Sequence, residues 1–212
     1  MPSTYERTRE TLPTDTSTDR RVHFYARGEL IPTEMEGMWQ VCQGLVQLGG
    51  VYASGEEAIL GWIGSSMWFG SLLTYLQSYQ AKALSGVYLM WYSHSEIESS
   101  PEIAQSLLPQ LSQRLRQAEA LLAIAGHRRV EHRTIELLLL LQREFGQPWQ
   151  GGTRLTLRLT HQDLANAIGT SRVTMTRLLG KFKQEGKITF DRDRHIIICS
   201  GAFGDRAGLL KI

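Results

Sequence analysis

Four side chains in the run Thr170-Ser-Arg-Val-Thr-Met-Thr-Arg-Leu-Leu-Gly180 have the types and spacing to read a nucleic acid: Arg172, Val173, Thr176 and Arg177. At about 100° per residue they gather on one side of a helix, away from the side that collects Met175, Leu178, Leu179 and Phe182. The first side holds two guanidiniums, two small side chains and no carboxylate. It suits a major groove, where Arg bonds guanine O6 and N7 and a Val or Thr methyl touches the thymine methyl. The second side is apolar enough to pack inward. Thr170 and Ser171, at the N-terminus of the same helix, offer amides and hydroxyls to a phosphate. Lys181 adds a charge that attracts phosphate without regard to sequence. An ordinary amphipathic helix with a solvated basic face has the same periodicity, so the flanking elements decide between the two.

Those elements predict a winged helix-turn-helix. Thr160 is a good N-cap with Asp163 three residues on, close to a capping box, and Leu164, Ala165 and Ile168 follow at helical spacing. Gly169 ends that helix, because a residue turning there must avoid a Cβ penalty. Thr170 or Ser171 then caps a second helix, which runs from Arg172 to a glycine stop at Gly186. Next, Lys187 to Phe190 and His195 to Cys199 read as two β-branched strands around the charged turn Asp191-Arg-Asp-Arg194. From Thr160 to Arg194 the chain carries seven Lys or Arg against four Asp or Glu.

Charge is divided along the 212 residues: residues 21–100 balance to −4 and residues 101–212 to +7, within a net charge of +2. That division confines a polyanion-binding surface to the C-terminal half. No run of about 18 apolar residues exists, so no membrane span is expected. The first twenty residues contain no apolar h-region, so secretory export is not expected. Cys42 and Cys199 are the only cysteines. They exclude a disulfide framework and fit a reducing compartment, here the cytoplasm.

Residues 1–20, polar and mixed in charge, read as a disordered tail. Over residues 21–100, short apolar runs broken by glycine predict a small antiparallel roll or barrel, with a helical turn inside it at Leu72 to Tyr79. Pro101 opens a long helix over residues 101–126. On it Leu108, Leu111, Leu115, Ala118, Leu122 and Ala125 recur at spacings of three and four, a stripe that suits a dimer seam better than packing within one domain. Residues 127–200 then form the DNA-binding unit: a buried helix over 130–145, a loop from Gly146 to Gly152, a strand from Arg154 to Leu159, and the winged motif. Residues 201–212 form a tail with no assigned role.

The runs Leu159-Thr-His-Gln-Asp-Leu-Ala-Asn-Ala-Ile-Gly169 and Thr170 to Gly180, with the order roll, long helix and winged motif, resemble the cyclic-AMP receptor protein and fumarate–nitrate regulator (Crp/Fnr) family. Locally the match is nearest to its cyanobacterial nitrogen-control branch. The resemblance implies an α+β fold with an N-terminal antiparallel β-roll of cyclic-nucleotide-binding type, a dimerisation helix and a winged helix-turn-helix. It implies a homodimer on double-stranded DNA that engages RNA polymerase as an activator. Arg172 and Arg177 match base-contacting arginines. Val173 stands where the cyclic-AMP branch has glutamate, which removes an acceptor for cytosine N4 and shifts the half-site towards a GTA-like triplet. Thr160, His161, Gln162, Ser171 and Thr174 match positions near backbone phosphates.

The sensor half departs from that family pattern. Its cyclic-AMP binders carry a Gly-Glu pair and an Arg-Ser pair, whereas Phe69 to Ala83 contains neither Glu nor Arg. Lys82 is a poor substitute for a bidentate guanidinium on a cyclic phosphate. The nitrogen-control branch also needs arginine for 2-oxoglutarate, and the matching part of the roll shows none. Cyclic-nucleotide sensing is therefore not expected. The alternatives are a roll that binds 2-oxoglutarate or another metabolite, and a winged helix that contacts a protein.

Enzyme and metal chemistry find no support. Two cysteines cannot hold an iron–sulfur cluster. His127 and His132, taken as one helix, lie about 140° apart. No phosphate-binding loop or nucleophile elbow occurs. His94 near Glu96 reads as a solvated turn. No cofactor, metal or catalytic residue is assigned.

Overall fold

A computed structural model describes residues 22–33 and 36–204. The tail expected over residues 1–20, and all of the C-terminal tail beyond Gly204, lie outside the described residues. In the N-terminal half, alternating side chains build eight strands: β1 (Val22–Tyr25), β2 (Leu30–Ile31), β3 (Gly37–Gln43), β4 (Val46–Val51), β5 (Glu57–Ile63), β6 (Trp68–Phe69), β7 (Tyr79–Ala83) and β8 (Val87–Ser93). They form two antiparallel sheets, ordered β1-β8-β3-β6 and β2-β7-β4-β5. Val41, Leu48, Ile63, Phe69 and Leu89 fill the space between them and are almost fully buried. The helical turn expected over Leu72 to Tyr79 shrinks to one 3-10 turn, Ser71–Leu73.

A short helix, α1 (His94–Ser99), closes the roll. Ser93 and Glu96 form its capping box. Glu96 is therefore engaged at the cap, while His94 Nε2 faces Glu98 Oε1 at 3.1 Å.

The long helix α2 (Pro101–Ala125) starts with Ser100 as N-cap and proline in its first turn, where a missing amide costs nothing. Its inner face buries Leu107, Gln117, Ala120, Leu121 and Ile124. Gln117 grips the edge strand β5 like a strand of its own. Its Oε1 accepts from the Trp62 amide at 2.9 Å, and its Nε2 donates to the Trp62 carbonyl at 3.2 Å and to the Glu144 carboxylate. Arg114 Nη1 donates to the Leu60 carbonyl at 3.3 Å and to Gln117 Oε1 at 2.9 Å. Gly61 permits this approach, since a Cβ there would sit 2.0 Å from Gln117 Oε1. The outer face of α2 carries the expected stripe: Leu108, Leu111, Leu115 and Leu122 are 36–76% exposed, and Ala118 and Ala125 are exposed as well.

Helix α3 (Val130–Phe145) buries Leu137 to Leu141 in a core shared with Ile59 and Trp62 of the roll. The expected loop after it is a hairpin, β9 (Gly146–Trp149) and β10 (Gly152–Leu155), and the expected strand Arg154 to Leu159 leaves the sheet after Leu155. Leu157 still points inward, but the main chain must turn away to deliver Thr160 to the next helix. Helices α4 (His161–Ala167) and α5 (Arg172–Gln184) follow, then β11 (Ile188–Phe190) and β12 (Ile196–Cys199), in a sheet ordered β11-β12-β10-β9. Phe203, expected in a tail, is buried 5.5 Å from the Phe182 ring, so the winged core runs past residue 200.

Candidate nucleic-acid interface

Sequence-local rules set the two helices of the motif. Thr160 and Asp163 close a full capping box, with Thr160 N donating to Asp163 Oδ2 at 2.7 Å and Asp163 N to Thr160 Oγ1 at 3.1 Å. Gly169 turns the chain at φ 61°. Of the two candidate caps for α5, Ser171 is the one used: its Oγ accepts from Thr174 N at 3.2 Å, while the Thr170 amide donates to the Ala165 carbonyl. The helix ends at Gln184, and Gly186 takes φ 68° beyond it.

Packing then separates the two faces of α5. Met175, Leu178, Leu179 and Phe182 are buried. Arg172, Val173, Thr176 and Arg177 are all exposed, with Val173 at 79%. An apolar side chain left in solvent between two guanidiniums suits a surface that presents both charge and methyl groups.

The expected phosphate-facing residues divide into two groups. Thr160 and Gln162 stand at the start of α4, and Thr170, Ser171 and Thr174 at the start of α5, where first-turn amides lack helical partners. His161 is engaged within the motif: its Nδ1 lies 2.8 Å from Thr176 Oγ1, and Thr176 Oγ1 donates to the Arg172 carbonyl at 2.8 Å. Because the hydroxyl proton goes to that carbonyl, Nδ1 must carry the imidazole proton. Burial, and then the neighbouring Arg172, lower the His161 pKa and favour this neutral form. Lys181 is held by Glu131 Oε1 at 2.8 Å, with Glu185 at 3.8 Å. The Glu131 hydrogen bond raises the Lys181 pKa, and the same bond lowers that of Glu131.

The wing turn brings Asp191, Asp193 and His195 together at metal-ligand spacing, a cluster the sequence reading passed over. Arg154 fills the cationic role there. Its Nε donates to Asp191 Oδ2 at 2.6 Å, and its Nη2 lies 2.7 Å from His195 Nδ1. Burial raises the Asp191 pKa, but Arg154 and the His195 amide together outweigh it and leave the carboxyl at about 2. The rings of His127 and His132 meet at 6.2 Å, because α3 starts only at Val130 and His127 is not on it.

Residues 132–202 match the Crp-like helix-turn-helix domain. The global nitrogen regulator of Synechococcus elongatus is 36% identical over 168 residues, which cover 75% of this chain and 76% of that protein. The chain belongs to the Crp/Fnr family. The regulatory protein CysR of Synechococcus elongatus is 35% identical over 175 residues, 81% of each chain. A crystallised CRP/FNR-family transcriptional regulator from Thermus thermophilus superposes with a TM-score of 0.69 at 26% identity, over 86% of this chain and 96% of that one. These relatives are transcription regulators and not enzymes, and the α+β architecture is theirs. The chain is accordingly a DNA-binding transcription regulator. Among the described residues, no helix is long and apolar enough to cross a membrane.

In this Crp/Fnr chain the roll holds a cleft of about 620 Å³ between Leu30–Thr33 and Ser71–Ala81. Its described lining is apolar or neutral, with Thr33, Ser71, Thr74, Gln77, Ser78 and Gln80 as the polar members besides Tyr79. Lys82 lies on the outer face of β7, between the inward Ala81 and Ala83, so it cannot stand in for a phosphate-binding arginine inside the roll. An arginine that does come near is Arg114 of α2, to which the sequence alone assigned no role. Burial lowers its pKa, while Tyr79 and Glu144 favour its charge. Burial raises the Tyr79 pKa to about 12, against the opposing effect of Arg114. Arg114 and Gln117 share a second stripe with Leu107, Leu121 and Ile124, at spacings of three, four and seven, and that spacing was the available signal.

Proposed function

We propose that the protein works as a homodimer that reads a roughly palindromic operator. The outward face of α5 supports this reading most directly: two exposed arginines flank an exposed valine and a threonine, backed by a fully buried apolar face. Arg172 and Arg177 bond guanine edges, and Val173 and the Thr176 methyl meet thymine, which gives GTA-type half-sites. Thr160, Gln162, Thr170, Ser171 and Thr174 fix the register on backbone phosphates. Lys181 joins them when it leaves Glu131, and His161 when it is protonated.

The leucine stripe of α2 is the dimer seam, since exposed leucines in one row are costly on a monomer. Two-fold pairing along residues 104–126 sets the recognition helices about 34 Å apart, one turn of DNA. Among the described residues the lining of the roll cleft is neutral, which favours regulation without cyclic nucleotides. Contact with RNA polymerase completes the role as an activator. Binding-site selection from random DNA tests the reading. Recovery of an inverted repeat with GTA-type half-sites is the expected result, and recovery without two-fold symmetry overturns it.

One observation favours a metabolite-gated form. Arg114 brings a partly buried guanidinium from α2 towards Tyr79, which lines the roll cleft. Calorimetric titration of 2-oxoglutarate, with cyclic AMP as comparison, separates the two forms: heat from 2-oxoglutarate that Arg114→Met removes supports gating. A winged helix built for a protein partner is separated by salt, because only polyanion binding falls steeply with ionic strength.

A further inference from the structure

The outer face of the sheet β2-β7-β4-β5 has a hole in its row of side chains. Antiparallel register places Leu30, Lys82, Gln47 and Trp62 in one line across the sheet, and Gln80, Gly49 and Ile59 in the next. Gly49 contributes no side chain, so its neighbours enclose a depression of about 300 Å³, with Val51 and Glu57 on the far rim. Gln47 lines it at only 5% exposure, and among the described residues its Oε1 has no hydrogen-bond partner. An unpaired buried amide oxygen is a net cost to folding, and a leucine would fill the same volume without it. Lys82 stands beside Gln47 across the ladder, with three donors to offer and no acceptor.

A ligand that answers both groups carries a donor for Gln47 Oε1 and, next to it, an anionic oxygen for Lys82. The remainder lies over Gly49, against Ile59, with a polar end towards Gln80 and Glu57. The volume restricts it to a small molecule. We propose that this depression binds a free α-amino acid, with its ammonium on Gln47 Oε1 and its carboxylate on Lys82. A 2-oxo acid fails the same test, because its carbonyl would set an acceptor against an acceptor. The site also touches the DNA-binding unit, since Asn166 Nδ2 of α4 donates to Glu57 Oε2 at 3.3 Å. Occupancy therefore acts on the contact between the roll and α4, whereas binding itself does not depend on what α5 reads.

Thermal unfolding of the full chain without DNA tests the site, with each proteinogenic amino acid in turn and with pyruvate and 2-oxoglutarate as controls. One or a few amino acids should raise Tm by about 5–10 °C at roughly a hundredfold excess over Kd, and the 2-oxo acids should not produce that shift through Gln47. Gln47→Leu should abolish the shift while raising the Tm of the ligand-free protein. Lys82→Met should abolish the shift and leave the ligand-free Tm near that of the wild type. The proposal is overturned if no amino acid moves Tm, or if the shift survives either substitution. It is also overturned if Gln47→Leu lowers the ligand-free Tm or prevents folding, because the amide would then have a structural partner.

Discussion

Helices α2 and α5 each bury one face, and they leave opposite chemistries outside. The free face of α2 is a row of leucines, with Leu108 at 70% exposure and Leu122 at 76%. The free face of α5 is cationic, with Arg172 and Arg177 around Val173. Leucine in water gains by meeting more apolar surface, so α2 calls for a second protein surface. Guanidiniums in water gain little from an isolated carboxylate, but they gain from a polyanion that releases its counterions. The buried faces differ as well: that of α5 is made of Met175, Leu178, Leu179 and Phe182, whereas that of α2 also carries the polar clamp of Gln117 and Arg114. On the function proposed above, the two helices divide assembly and recognition between them, so each role should be open to damage without the other.

The sharpest break is Leu115→Glu, which puts a carboxylate in the middle of the leucine row. Sedimentation should show a monomer, and operator affinity should fall by about a hundredfold or more through loss of the second half-site. A dimer that persists would remove α2 from the seam. On the opposite face of the same helix, Gln117→Leu strips partners from the Trp62 amide and carbonyl, Arg114 and Glu144. We expect a loss of about 3 kcal/mol in denaturant unfolding, with the operator sequence preference of the surviving folded protein unchanged.

The cationic helix yields smaller effects. Arg177→Ala should weaken operator binding by about 1–3 kcal/mol and relax base preference, with random DNA much less affected. Equal losses on both DNAs would show that the arginine reads no base. Lys181→Ala should weaken all sequences alike and only slightly, because the Glu131 pair already engages the ammonium; a shallower slope of affinity against salt is the measure.

The smallest effect is a pH dependence. The His161 pKa is lowered in the folded chain, so below about pH 6.5 the unfolded chain takes up the proton more readily. Wild type should therefore lose stability relative to His161→Gln as pH falls through that value, and the two should run parallel above it.

Much of the recognition unit was legible because its rules are local. A cap, a glycine and a 3.6-residue period place Thr160, Gly169 and the two faces of α5 without knowledge of anything distant in the chain. The stripe of α2 was legible for the same reason. The inward work of Arg114 and Gln117 was missed because their partners, Leu60 and Trp62, are more than fifty residues away in sequence. Phe203 was assigned to a tail because a lone aromatic among glycines shows no period, although it packs on Phe182.

The sequence by itself determined helices α2 to α5, the two-sided character of α2 and α5, the separation of charge between the halves and the family, but not α1, where His94 and Glu96 read as a solvated turn. Each follows from neighbours within one or two turns, or from composition. Tertiary structure decided which strands pair, where Gln47 and Lys82 meet beside Gly49, and which arginine approaches the roll. A period of two tells a strand which face is buried but not which strand lies next to it, and those contacts exist only once distant segments have been brought together.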